Sequence, residues 1–215
     1  MIESVIFGED WDVIPLLISL HSPTEIPEIL DVTYNTGTMW KGIRSNYNIS
    51  TLDIDPAFET DYVGDFRDMS FIDKKFDIVV FDPPHLPTHA ASENSSKIWE
   101  YRYGITNESG VGRDGDNVSP LFTPFFSSAK KILISNGIIL AKISDMVHNH
   151  KYQWQHIDLI ISAQREGLTP CDMIVKKSAS GGKLRSSKWE NQYHTRRCHS
   201  YWIVLRNSNR CERPH

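Results

Sequence analysis

The stretch Phe76-Asp77-Ile78-Val79-Val80-Phe81-Asp82-Pro83-Pro84-His85 decides the fold. Five of its first six residues suit a buried parallel strand, so an acid and two prolines emerge where that strand stops. In an open α/β sheet, ligands bind just outside the carboxyl ends of the strands. Each proline fixes its own φ, lacks an N–H and restricts the residue before it. The result is a stiff turn with outward carbonyls beside one carboxylate. An exocyclic amino group on a base needs acceptors for its two hydrogens while its lone pair is freed for attack. A carboxylate and a proline-flanked carbonyl supply them without a competing donor. Asp-Pro-Pro is also an ordinary strand-ending turn, so its meaning depends on what precedes it.

Upstream, residues 29–40 read as a short apolar strand ending at Asp31 and running through Thr33, Tyr34, Asn35 and Gly37 in a tight turn. Asn35 tolerates the left-handed region and Gly37 adopts it at no steric cost, so the backbone can approach a ligand closely. A second strand, residues 49–54, carries Asp53 near its carboxyl end. That is where a nucleoside-binding α/β fold places a ribose acceptor, about 20 residues after such a turn. Gly64-Asp65-Phe66 then presents another acid at a turn. Four strand ends in succession, at Asp31, Asp53, Asp65 and Asp82, form one acid-lined crevice. Neither Gly-x-Gly-x-x-Gly nor Gly-x-x-x-x-Gly-Lys-Ser/Thr occurs, which argues against dinucleotides and nucleoside triphosphates. Clustered acids suit a cationic sulfonium better than a pyrophosphate.

Downstream the pattern alternates again. Residues 121–133 predict a helix stopped by Asn136-Gly137, and residues 138–143 a buried strand. Apolar spacing over residues 152–166 predicts an amphipathic helix ended by Gly167. Strands at residues 174–175 and 201–205 have no helix between them and should pair antiparallel at one edge. The expected fold is therefore α/β, a doubly wound and mostly parallel sheet with an antiparallel edge strand.

At 215 residues the chain suits a single domain over 1–215, with 23% charged and 40% apolar residues. No apolar run approaches the roughly 18 residues of a membrane span. The first residues lack the basic flank of a signal peptide. Three cysteines (Cys171, Cys198, Cys211) with no metal-like pairing point to a reduced, cytoplasmic setting. Two histidine groups, His148, His150 and His156, and His194 with Cys198 and His199, match no tetrahedral zinc spacing, so no metal is assigned.

The net charge of −4 is unevenly spread. Residues 1–82 hold 16 of the 27 acids and five Lys or Arg, whereas residues 176–206 hold eight Lys or Arg and one acid, Glu190. Lys183, Arg185, Lys188, Trp189, Arg196 and Arg197 lie within the 176–200 loop. Basic residues interleaved with aromatics in this way suit a phosphate backbone with unstacked bases. The polar, glycine-punctuated segment 87–120 could close over a target as a lid, or be a plain surface loop.

These motifs together resemble the S-adenosylmethionine-dependent amino-methyltransferases of nucleic-acid bases, the adenine-N6 and cytosine-N4 enzymes. The resemblance covers residues 27–145 well and the remainder in outline. It implies a Rossmann-like methyltransferase fold and a cofactor motif at residues 31–37, with Asp53 on the ribose and Asp65, beside Phe66, at the adenine. The catalytic Asp/Asn/Ser-Pro-Pro-aromatic motif corresponds to Asp82, Pro83, Pro84 and His85. Asn35 stands where the family usually has Gly, and His85 where it usually has Tyr, Phe or Trp. The implied cofactor is S-adenosylmethionine and the implied partner is nucleic acid, DNA before RNA. Adenine-N6 in DNA comes first, because the Asp-Pro-Pro form more often accompanies adenine. Cytosine-N4, an RNA base, or an inactive cofactor-binding, nucleic-acid-binding subunit of a methyltransferase complex are the alternatives. Little room is left for a target-recognition domain, which suggests recognition by the 176–200 loop, a recognition subunit or a homodimer.

Overall fold

The computed structural model describes residues 2–83, 119–148, 151–177, 194–195 and 198–211. Among them ten strands and three α-helices occur in the order β1 (Val5–Phe7), α1 (Asp10–His21), β2 (Glu28–Asp31), β3 (Asn48–Asp53), β4 (Tyr62–Val63), β5 (Phe76–Phe81), α2 (Phe122–Ile132), β6 (Leu133–Ile143), β7 (Met146–His148), β8 (Lys151–Gln153), α3 (Gln155–Arg165), β9 (Thr169–Lys177) and β10 (His199–Arg206). Eight strands form one sheet in the order β1-β9-β10-β6-β5-β2-β3-β4, and β7 and β8 form a separate hairpin.

Every strand of the large sheet points one way except β10, which runs antiparallel to both β6 and β9. The expected antiparallel pairing of the last two strands is present. Its place differs, because β1 adds in parallel outside β9 and leaves β10 inside the sheet.

Side chains that alternate along the strands feed two cores. Ile78 and Val80 of β5 join Val13, Ile14 and Leu17 of α1 on one face, together with Ile29, Leu140 and Trp202. Val79 and Phe81 face the other way, toward Phe125 of α2 and Leu159 of α3. Phe81 and Phe125 stack with centroids 3.7 Å apart. No helix among the described residues is long and apolar enough to cross a membrane.

Three local expectations are corrected. Asn136-Gly137 does not stop a helix: α2 ends at Ile132, and both residues lie inside β6. Asn136 takes a positive φ of 65°, and the pairing with β5 slips there, from Phe76↔Leu133 to Ile78↔Ile138. The backbone is satisfied across the sheet instead, with Asn136 N–H donating to Asn207 O and Asn207 N–H to Gly137 O. The turn signal was real, but a strand irregularity used it. Residues 176–200 are not all loop, since Lys176 and Lys177 finish β9 and His199 and Ser200 begin β10. Nor do the cysteines stay apart. Cys171 and Cys211 are bonded, with Cα atoms 5.4 Å apart, and Cys198 remains a free thiol. The inference from unpaired thiols to a reducing compartment therefore loses its basis.

Candidate active site

The parallel strands deliver their acids to one edge of the sheet. Asp31 ends β2, Asp53 ends β3, Asp82 follows β5, and Asp65 follows β4 by two residues. Because β5, β2, β3 and β4 are neighbours in that order, the four lie in a row along the carboxyl edge of the sheet.

The turn after β2 knits this edge together. Val32 N–H donates to Val80 O of β5, and Tyr34 N–H to Leu52 O of β3, so the turn spans both neighbours of its own strand. Asp82 N–H donates to Thr33 Oγ1 at 2.9 Å, and Asn35 N–H to Asp53 Oδ2 at 2.7 Å. Asn35 has φ 50° and Gly37 φ 66°. A Cβ on Gly37 would come within 2.5 Å of the Tyr34 hydroxyl on left-handed backbone, so both conformation and space favour glycine there. Thr33 is thus hydrogen-bonded to Asp82 and Asn35 to Asp53, and the turn that carries Thr33 and Asn35 links the two pairs.

Asp31 is fully buried, accepting from Thr33 N–H at 3.0 Å and from Trp40 Nε1 at 2.7 Å. Burial pushes its carboxyl up to about 6. The two hydrogen bonds oppose that rise, while the charges of Asp82 and Asp53 add to it. Asp53 also accepts from Asp55 N–H at 3.0 Å. Asp65 faces Arg67, whose guanidinium grips both of its oxygens. Phe66 packs edge-on against Phe81 and Phe125, at centroid distances of 5.2 Å and 5.9 Å.

On the other side of Asp82 lies a chain of alternating charges that the motifs do not reveal. Register places Ala141 opposite Phe81, which sets Lys142 beside Asp82. Lys142 Nζ is 2.8 Å from Asp82 Oδ2 and 2.9 Å from Asp10 Oδ2. Asp10 Oδ1 in turn meets Lys176 Nζ at 2.6 Å and accepts from Trp202 Nε1 at 3.1 Å. Burial alone would pull the Lys142 ammonium down, but Asp82 and Asp10 overbalance it and push it above the ordinary lysine range. The sequence did carry a signal for Lys142, a lone cation in the apolar run 138–143, which must find a partner when buried.

No protein-family model and no curated protein matches the sequence. Solved structures do. The chain is similar to a putative methyltransferase (BH2331) from Bacillus halodurans, with TM-score 0.54 and 14% identity over 90% of this chain and 97% of that one. It is similar also to the N-methyltransferase NodS of Bradyrhizobium japonicum in complex with S-adenosyl-L-homocysteine, with TM-score 0.52 and 10% identity over 92% and 85% of the two chains. The chain has the fold of S-adenosylmethionine-dependent methyltransferases. Against TrmN from Thermus thermophilus, at TM-score 0.48 and 13% identity, it covers 89% of its own length and only 47% of that chain.

Pro84, His85, Lys183, Arg185, Lys188, Trp189, Arg196 and Arg197 lie outside the described residues, as does nearly all of the 87–120 segment. Two of the eight cations in residues 176–206 do not serve a polyanion. Lys176 is buried on Asp10, and Arg206 is buried with its guanidinium on Asn136 O and His21 O.

Proposed function

We propose that the chain is an S-adenosylmethionine-dependent methyltransferase acting on an exocyclic amino group of a nucleic-acid base, adenine-N6 in DNA first. Cytosine-N4 or an RNA base is the nearest variant of the same chemistry. The observation that carries the proposal is the direct coupling of Asp82 to the 31–37 turn through Thr33, at the carboxyl edge of β5 and β2.

The residues present fit the cofactor. Asp31, Asp53 and Asp82 concentrate negative charge around a site where Asp31 already resists ionisation. A positively charged sulfonium relieves that repulsion, whereas an anion would aggravate it. The turn at residues 33–37 would hold the methionine portion, with Asp53 keeping acceptor capacity for ribose hydroxyls beyond its two backbone contacts. Asp65 reaches an adenine only if Arg67 yields, so this contact is assigned to the resemblance alone. S-adenosylmethionine, when bound, supplies an electrophilic methyl group.

The chain's own groups do the rest. Asp82 would accept one amino hydrogen and the Pro83 carbonyl the other, which frees the nitrogen lone pair to face the cofactor's methyl group. The proton that the nitrogen sheds as the methyl leaves sulfur would depart by way of Asp82. Lys142, at 2.8 Å, fixes the Asp82 carboxyl group in place as an acceptor. Asp10 steadies Lys142 from behind. His85 would hold the flipped-out base by stacking. Rate enhancement then comes from positioning and matched acceptors, without a covalent enzyme intermediate.

Methyl transfer and cofactor binding measured on Asp82→Ala and Asp82→Asn test this. Asp82→Ala is expected to lose about 100-fold or more in turnover while cofactor affinity holds. Asp82→Asn, which keeps an acceptor but cannot take up a proton, should retain part of the activity. Undiminished turnover in Asp82→Ala would remove Asp82 from the chemistry.

A further inference from the structure

Behind the Asp82–Lys142 pair, three neighbouring strands converge on one carboxylate. Trp202 of β10 stands opposite Lys142 of β6, and Ser200, two residues earlier on β10, stands opposite Lys176 of β9. Strand alternation therefore turns Lys142, Trp202 and Lys176 to one face of the sheet, the face that α1 covers. Asp10, the first residue of α1, meets all three. Its Oδ2 accepts from Lys142 Nζ at 2.9 Å, and its Oδ1 from Lys176 Nζ at 2.6 Å and Trp202 Nε1 at 3.1 Å. These groups are held out of water: the Lys176 side chain is 8% exposed and that of Asp10 15%, and Trp202 is fully buried.

We propose that Lys176 is a positioning residue, which fixes Lys142 against Asp82 by holding Asp10. The inference rests on the reading of Asp82 as the amino-hydrogen acceptor, and it gives a role to a cation that the sequence groups with the basic loop. The Lys142 ammonium is shared by two carboxylates, Asp82 Oδ2 at 2.8 Å and Asp10 Oδ2 at 2.9 Å. Its resting place depends on the balance between them. Lys176 and Trp202 already answer Asp10 at Oδ1, so Asp10 does not take Lys142 for itself. Without Lys176, the mostly buried Asp10 has Lys142 as its one paired cation among the described residues, and draws it inward. Asp82 then loses its hold, although Lys176 touches neither Asp82 nor any reacting atom.

The test follows the Lys142 ammonium of the full chain by nitrogen-15 NMR, its resonance assigned by its absence from Lys142→Arg, and measures methyl transfer in parallel. Lys176→Met should move that resonance and lower kcat about 10-fold, with KM for the oligonucleotide and cofactor affinity unchanged. Lys176→Gln keeps a donor on Asp10 should the methionine variant fail to fold, and should move the resonance the same way by less. In an Asp10→Asn background Lys176→Met should change neither readout further, because its route runs through that carboxylate. An unmoved resonance in the folded Lys176 variants removes the positioning role and leaves the assignment of Asp82 intact. Weakened oligonucleotide binding with an altered salt slope makes Lys176 a phosphate contact instead, and an undiminished effect in the Asp10→Asn background also overturns the proposal. A resonance that moves as expected, in a protein whose wild type methylates no polymer, keeps the coupling and removes the catalytic reading.

Discussion

Asp31 carries an electrostatic cost that can be read in solution. Its carboxyl titrates at about 6 in the fold against 3.8 for the free group. The folded state therefore holds this proton more tightly, and stability falls as pH rises between those two values. The loss is of order 3 kcal/mol by pH 7. Urea unfolding of wild type and Asp31→Asn at pH 4 and pH 7 checks it, because asparagine does not titrate. Between those two pH values the difference should move in the variant's favour by about 2 kcal/mol, and a difference flat in pH would refute the assignment. Lys142 makes the opposite case. Replacing it with Met leaves Asp82 and Asp10 facing each other without their shared cation, at a cost of about 3 kcal/mol on the same assay. The two residues also differ in how far the sequence reveals them. Asp31, Asp53 and Asp82 are legible because each closes a strand signal and opens a turn. Lys142 is not legible as a site residue, since its partner Asp10 lies 132 residues away. Only the register of β5 on β6 brings it to Asp82.

At the scale of elements, the turn at residues 33–37 concentrates the constraint. Gly37→Ala forces a side chain into left-handed backbone and against Tyr34, and should cost at least about 1 kcal/mol. Because the same turn holds Asp53 and Asp82, calorimetric cofactor affinity should fall with it, while a variant binding normally would contradict the role of the turn. The disulfide between Cys171 and Cys211 ties the start of β9 to the segment after β10, closing a loop of sequence separation 40. Cys211→Ser should then lower stability by about 4 kcal/mol under non-reducing conditions, and added reductant should bring wild type to the same level. Buried strands with continuous apolar runs, such as β5 and the second half of β6, were readable from period and composition. Residues 5–21 are not legible from pattern, because β1 is three residues long and α1 carries an internal proline. Asn136-Gly137 misled for a physical reason: a residue at positive φ serves a strand irregularity as well as it ends a helix.

Along the sequence the charges are unevenly spread, with acids toward the first 82 residues and cations toward residues 176–206. Acids gather where β5, β2, β3 and β4 end, while on the β6–β10–β9 side Lys142 and Lys176 are consumed by Asp82 and Asp10. If the remaining cations of the 176–200 loop meet phosphates, Arg196→Ala with Arg197→Ala should weaken nucleic-acid binding similarly for all sequences. It should also reduce the slope of log K on log salt by about 2. Fold class was readable at this scale because strand ends, turns and acids agree with one another. The position of β10 was not, since nothing local announces that β1 will cross over to pair with β9. The proposed reaction is transfer of a methyl group to an amino nitrogen of a base. Labelled S-adenosylmethionine incubated with matched single- and double-stranded DNA and RNA, followed by nucleoside analysis, addresses it directly. Label is expected in N6-methyladenine, or in N4-methylcytosine as its nearest variant, and is expected to vanish with Asp82→Ala. Measurable cofactor binding with no label on any polymer would contradict it.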